Sequence, residues 1–230
     1  MELDPQAIFS AFLVVATMLL VGFPVHEGLH AWTAMKLGDN TARWMGRVTL
    51  DPRAHLDQMG ALVLGITAVF SAAGGGILFG WAKPTPVNPI NMRHGRQGHA
   101  LVAFAGPASN LVVAAIVAVP LRLIIGNDDW LRSVLSTPVL SMFLDAALLL
   151  LSLNILLFIF NLLPVPPLDG WSVLKGIVPQ QAARRMSELE IQYANVIPMI
   201  FFGLIIIIFL TGGSFLGPLI FGIRDFLLGI

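Results

Sequence analysis

The chain has 230 residues, of which 57% are hydrophobic and 11% charged. Soluble domains carry about 25% charged residues, and a soluble core of this length cannot hide so much apolar surface, so composition excludes an ordinary globular domain and points to an integral membrane protein. Lysine plus arginine balance aspartate plus glutamate at 13 each, which excludes a polybasic nucleic-acid-binding domain, and the lack of cysteine excludes disulfides and thiolate metal sites.

The opening residues MELDPQ are acidic and lack the basic start of a cleavable signal, so the first apolar segment is expected to stay in the mature protein. Residues 7–35 read as one long helix. Residues 36–57 are polar and predict a turn followed by short strands, with GRVTL the best strand. Residues 59–80 are apolar but broken by SAAGGG, and 81–98, WAKPTPVNPINMRHGRQG, are proline-rich and extended. Apolar runs follow at 99–125, 139–163 and 195–211, and a short interfacial tail, LIFGIRDFLLGI, closes the sequence. The fold class this predicts is an all-α polytopic membrane protein of about four to six transmembrane helices, with a small membrane-associated β element and a re-entrant segment. Residues 1–230 are expected to form one membrane-embedded domain. Its parts are the helix at 7–35, a polar, re-entrant and edge-strand region at 36–98, helices at 99–125 and 139–170, and a C-terminal helix with tail at 195–230.

Charge orders these segments across the bilayer. Lys83, Arg93, Arg96, Lys175, Arg184 and Arg185 place 81–98 and 164–190 on the cytoplasmic side, and Asp128 and Asp129 lie between the helices that separate them. Lys36, Arg43, Arg47 and Arg53 make 36–57 basic as well, which conflicts with a simple span at 59–80. Entry, a break at Gly74–Gly76 and return removes the conflict; an ordinary span with an imperfect charge bias is the alternative.

Chemistry concentrates in VGFPVHEGLHAWTAMKLG, residues 21–38. Three ionisable side chains inside an apolar helix are costly and mark function. His26 and His30 are four apart and share a helix face, so both imidazoles reach one ion. In the H-E-x-x-H pattern Glu27 is a general base, and zinc suits two imidazoles and one carboxylate with a position left for water. A hydrogen-bonded histidine pair is the bland alternative. The carboxylate on offer is Asp169 in NLLPVPPLDG, residues 161–170, where Pro164, Pro166 and Pro167 end a helix; capping of the next helix is its alternative role.

HEGLH in a membrane helix, then GPASN at 106–110, then NLLPVPPLDG, resembles the site-2 protease family of intramembrane zinc metalloproteases, in its compact bacterial and archaeal branch without a PDZ domain. The resemblance covers about residues 20–175. It implies one Zn2+ per chain held by His26, His30 and Asp169, Glu27 as catalytic base, and Asn161 as a substrate-binding residue. One departure is Gln58, where the family usually carries proline. The function implied is an endopeptidase cutting in or near transmembrane segments of membrane protein substrates, sited in the prokaryotic inner membrane with its active site toward the cytoplasm. The alternative is a membrane zinc-binding or transport protein without hydrolysis. WAKPTPVNP reads as an edge strand for substrate or as a plain polyproline-like loop. Asn110 reads as a packing residue or a support for the zinc site, His55 as a surface-loop residue or one that approaches and assists the site, and His94 and His99 as interfacial.

Overall fold

The computed structural model describes residues 5–73, 78–210 and 216–230. Helices α1 (Pro5–Thr17) and α2 (Phe23–Lys36) are joined without a break by a π-helical turn, Met18–Gly22, into one 32-residue apolar rod. The wide turn lies just before Phe23 and Pro24. Proline cannot donate to the carbonyl four residues back, and the π turn absorbs that misfit. His26, Glu27 and His30 are thereby left in regular α-helix.

Single turns α3 (Thr41–Trp44) and α4 (Pro52–His55) follow, then α5 (Gln58–Ala72), whose cap Asp57 accepts from Gly60 N. Gln58 takes the first helical position, the one proline also suits, so the family departure leaves the turn intact. Helices α6 (Gly95–Ile125), α7 (Asp128–Ser136), α8 (Pro138–Asn161), α9 (Asp169–Ile177), α10 (Gln180–Gln192), α11 (Ile197–Leu210) and α12 (Gly217–Leu228) complete the order. Three of the described helical rods are long and apolar enough to cross a membrane: α1–α2, α6 and α8. The pair α10 and α11, bent by 92°, makes a fourth if taken as one span, the low end of the expected range.

Directions follow from contacts. Phe9 stacks edge-on against Phe143 at 5.9 Å, and Ser10 Oγ donates to Met142 O at 3.2 Å, so α1 and α8 start at the same end and run parallel. Within the α2–α6 pair, residue 26 faces residue 110 and residue 30 faces residue 102, so α6 runs the opposite way. The stretch between them begins and ends at one level. Arg93 N donates to Leu37 O at 2.7 Å, and the buried Asp39 accepts from Asn88 N at 2.6 Å, Asn91 Nδ2 at 3.2 Å and both donors of Thr41.

The chain also retraces α5. Thr67 Oγ1 donates to Phe79 O at 2.9 Å and accepts from Phe79 N at 3.0 Å; Trp81 O lies against Gly60, where any Cβ would strike it; Lys83 N donates to His55 O at 2.9 Å. The chain thus doubles back along α5, bringing Trp81 and Lys83 to its start at His55 and Gly60. The break expected at Gly74–Gly76 lies outside the described residues.

The expected β element does not form among the described residues. Gly46–Leu50 is bends and irregular backbone, and 78–88 is extended but pairs with no strand. The reason is donor supply. Lys83, Thr85 and Asn88 spend their N–H groups on His55, Glu27 and Asp39, while Pro84 and Pro86 have none. The stretch is a strap tied to α2 rather than a ladder.

Packing follows membrane rules. Alanines fill the helix contacts, with Ala31, Ala34 and Ala114 at 0% exposure, while Phe12, Val112, Ile116, Val119 and Leu123 lie on the outside. Small residues let backbones approach, and large apolar ones meet lipid. Two apolar clusters result: α1, α5 and α8 share one around Val14, Met18 and Leu64, and α6, α8 and α12 share the other around Leu121, Leu151 and Ile155.

Asp39 is the staple of the strap. Burial would raise its carboxyl, but the donors of Thr41, Asn88 and Asn91 outweigh burial and hold it below its ordinary value. Such a carboxyl adds stability above its unfolded value, about 4, which is lost as pH falls through the folded one. Asp39→Asn should therefore cost about 1–3 kcal/mol at neutral pH by leaving donors unpaired. The gap to wild type in detergent thermal unfolding should close as the pH drops below about 4; a gap that stays constant with pH contradicts the staple.

Candidate metal centre

His26 and His30 project from α2 toward α6, and Asp169 reaches the same point from the first turn of α9. The helix of NLLPVPPLDG ends at Asn161, and the loop 162–168 turns the chain back so that α9 starts at Asp169 itself. Gly170 makes this possible, because a Cβ there would collide with the carbonyls of Leu162 and Leu163. Asp169 is thus both the opening residue of a helix, favourable for an anion, and a convergent carboxylate. The cap position itself is Leu168, so Asp169 is not the helix cap.

Helix α9 is held from two sides. Arg96 of α6 donates through Nη1 to Val178 O at 2.6 Å and to Lys175 O, satisfying carbonyls at the end of α9. Glu190 of α10 accepts from Lys175 Nζ at 2.6 Å and from Trp171 Nε1 at 3.1 Å. Gly176 rests directly on Ala100.

The donor atoms form a near-equilateral triangle. His26 Nε2 and His30 Nε2 are 3.1 Å apart, and Asp169 Oδ2 lies 3.3 Å from the first and 3.4 Å from the second. Ligands about 2.0–2.1 Å from a tetrahedral zinc stand about 3.3 Å from each other, so the triangle fits one face of that tetrahedron. Burial alone would raise the Asp169 carboxyl; the two imidazoles outweigh it and hold it far below the ordinary carboxylate value, the anionic form a ligand needs. The tautomer of His30 suits as well. Its Nδ1 lies 2.7 Å from Val102 O, an acceptor only, so Nδ1 carries a proton and Nε2 is the nitrogen turned to the ligand position.

Space at the centre comes from Gly106 of α6. A Cβ there would lie 2.7 Å from His26 Nε2 and closer still to the Nε2 of His30. The missing side chain is the room an ion and its fourth ligand need, and it explains the first residue of GPASN beyond helix approach.

Glu27 lies beside the two histidines, on the neighbouring face of α2. Its Oε2 accepts from Thr85 N at 2.7 Å, and its main-chain carbonyl accepts from Thr85 Oγ1 at 3.0 Å. Sequence reading missed Thr85; the available signal was its position between two prolines, as the one residue of Pro84–Pro86 with an N–H to give. Asn110, fully buried, has its amide 3.2 Å from His26 Nδ1, so it touches the site rather than only packing. Asn161 donates to Leu157 O within its own helix at 2.9 Å. His55 is not a surface residue: it is 1% exposed, with Nε2 2.9 Å from Thr49 O, the carbonyl that lies against Gly28 of α2. Among the described residues, His26, His30 and Asp169 are the one group of three such side chains able to hold a metal ion.

The geometry has relatives. A family model described as peptidase family M50 matches residues 131–207, the stretch that carries Asn161 and Asp169. The chain is 36% identical to YwhC of Bacillus subtilis over 191 residues, 83% of this chain and 80% of that protein. It is 34% identical to Rip2 of Mycobacterium tuberculosis over 199 residues, 86% of this chain and 70% of that one. Both relatives carry zinc metalloprotease names. No solved structure matches the chain.

Gly106 gives a direct check. Alanine is the better helix former by about 1 kcal/mol, so Gly106→Ala should leave α6 folded while its methyl fills the centre. Metal content of the purified variant should fall from one ion per chain toward zero with little change in thermal stability. Undiminished loading would show that the triangle is not the binding point.

Proposed function

This chain belongs to peptidase family M50, and from that membership we propose that His26, His30 and Asp169 hold a zinc ion and that Glu27 is the base for peptide hydrolysis beside it. The chain is an intramembrane zinc metalloprotease whose surroundings are the bilayer and whose substrate is a membrane protein. The observation that carries the site assignment is the triangle of donor atoms at 3.1, 3.3 and 3.4 Å, drawn from residues 139 or more apart in the case of Asp169.

When bound, zinc polarises the scissile carbonyl and brings the pKa of water near neutrality, to about 7. The rest is work for side chains. Glu27 takes the proton from the attacking water and returns it to the leaving amine. Thr85 N–H holds one carboxylate oxygen of Glu27, so the other is left to face water. Asn161 binds the substrate backbone, which requires its amide to exchange Leu157 O for the substrate carbonyl. Substrate enters beside the strap 78–88 in unwound form. Its contact there is carried chiefly by carbonyls, because the strap's prolines offer no donors.

The site faces the cytoplasm. The end of the bundle that holds the triangle also carries Lys36, Arg43, Arg47, Arg53, Lys83, Arg93 and Arg96, and the opposite turn carries Asp128 and Asp129. Excess Lys and Arg marks the cytoplasmic face, of an inner membrane in a prokaryote. A zinc carrier without hydrolysis is not favoured, since a carrier has no use for a carboxylate set beside the ligands and steadied by a strap.

Glu27→Gln should keep one zinc per chain and lower cleavage of a transmembrane substrate by about 10²–10⁴-fold. Cleavage at the wild-type rate would remove Glu27 from its role. Thr85→Pro, which deletes the N–H, should cut kcat by about tenfold or more with zinc retained. Thr85→Ala, which keeps the N–H, should stay near wild type; equal losses in the two variants would mean that the strap, not the donor, matters.

A further inference from the structure

An imidazole that gives one nitrogen to a metal carries its proton on the other, and a fixed acceptor there sets both tautomer and ring orientation. Val102 O is that acceptor for His30. His26 has no carbonyl in the corresponding place. Its Nδ1 faces the side-chain amide of Asn110, one of the most deeply buried side chains of the protein at 2% exposure.

We infer that Asn110 is a positioning residue of the metal centre: its Oδ1 accepts the Nδ1 proton of His26 and so turns the lone pair of Nε2 toward Asp169 and His30. This rests on the zinc reading given above. Two observations carry it. The amide lies within hydrogen-bond reach of Nδ1, at 3.2 Å, and Oδ1 has no partner among the described residues although it is fully buried. With the amide nitrogen toward His26, the ring proton is forced onto Nε2, the atom that has to ligate. A half-turn of the amide exchanges two atoms of nearly equal size, gives Oδ1 a donor, and frees Nε2.

Helix α6 then serves the site three times on one face. Val102 fixes His30, Gly106 leaves the room and Asn110 fixes His26, at spacings of four residues that stack on consecutive turns. The last residue of GPASN is thereby assigned as firmly as its first.

The test is zinc affinity of the full chain in detergent, measured by competition with a chromogenic chelator, for wild type, Asn110→Leu and Asn110→Asp. Leucine fills the space but accepts nothing, and should bind zinc about 10–100-fold more weakly. Aspartate accepts the same proton and should bind within about threefold of wild type, or more tightly. A residue that only fills space gives the reverse order, because leucine then suffices and a buried carboxylate does harm. A leucine variant with wild-type affinity, or an aspartate variant as weak as the leucine one, overturns the inference. Should Asn110→Leu fail to fold, Asn110→Asp decides alone: near wild-type affinity supports the role and a loss of tenfold or more ends it. Wild-type chain that binds no zinc overturns the zinc reading and this inference together. Wild type that binds, beside a leucine variant that binds equally, removes this inference and leaves the centre standing.

Discussion

Three ionisable side chains meet at one point inside an apolar bundle, and that meeting constrains the rest of the fold. Desolvating an isolated charge there is expensive. Two imidazoles and a carboxylate with donor atoms 3.1–3.4 Å apart lower that cost among themselves and more so around a cation. For His26 and Asp169 to meet, α1–α2 and α8 must run parallel, and α6 must return between them. For α1–α2 and α6 to be antiparallel neighbours, the stretch 37–94 must leave and re-enter at one level. The doubling back of the chain along α5 is the solution, pinned by Leu37 with Arg93 and by Asp39 with Asn88.

The strap gains meaning from the same constraint. A peptide that crosses α2 at Glu27 needs to stay in place without becoming a sheet edge that aggregates. Prolines at 84, 86 and 89 remove donors, and those of Lys83, Thr85 and Asn88 are spent inward. One backbone thus runs back along α5, steadies a carboxylate beside the histidines and shields its own edge.

Much of this was legible in the residues. HEGLH carried its own spacing, and the long apolar runs gave α1–α2, α6 and α8 close to their true ends. The basic residues of 36–57 conflicted with a simple span, and the chain does double back along α5. What failed was the strand at Gly46–Leu50: alternation predicts a strand only where a partner backbone is present, and here the neighbours are helices. His55 looked like a loop residue because its burial comes with the packing of 49–55 and Lys83 around it, a contact partly far away in sequence. Asn110 and Gly106 were visible as a motif, but which of them touched a ligand depended on the facing of α6 against α2. Thr85 was hidden because its part is played by a backbone N–H, which every residue but proline owns.

The central claim is a zinc ion gripped by two imidazoles and one carboxylate. X-ray absorption at the zinc edge of the purified chain reads that set directly. The account predicts nitrogen and oxygen neighbours at about 2.0–2.1 Å with the outer-ring scattering of two imidazoles, and no sulfur. A spectrum without imidazole scattering, or a chain that leaves purification and zinc addition with no bound metal, would contradict it.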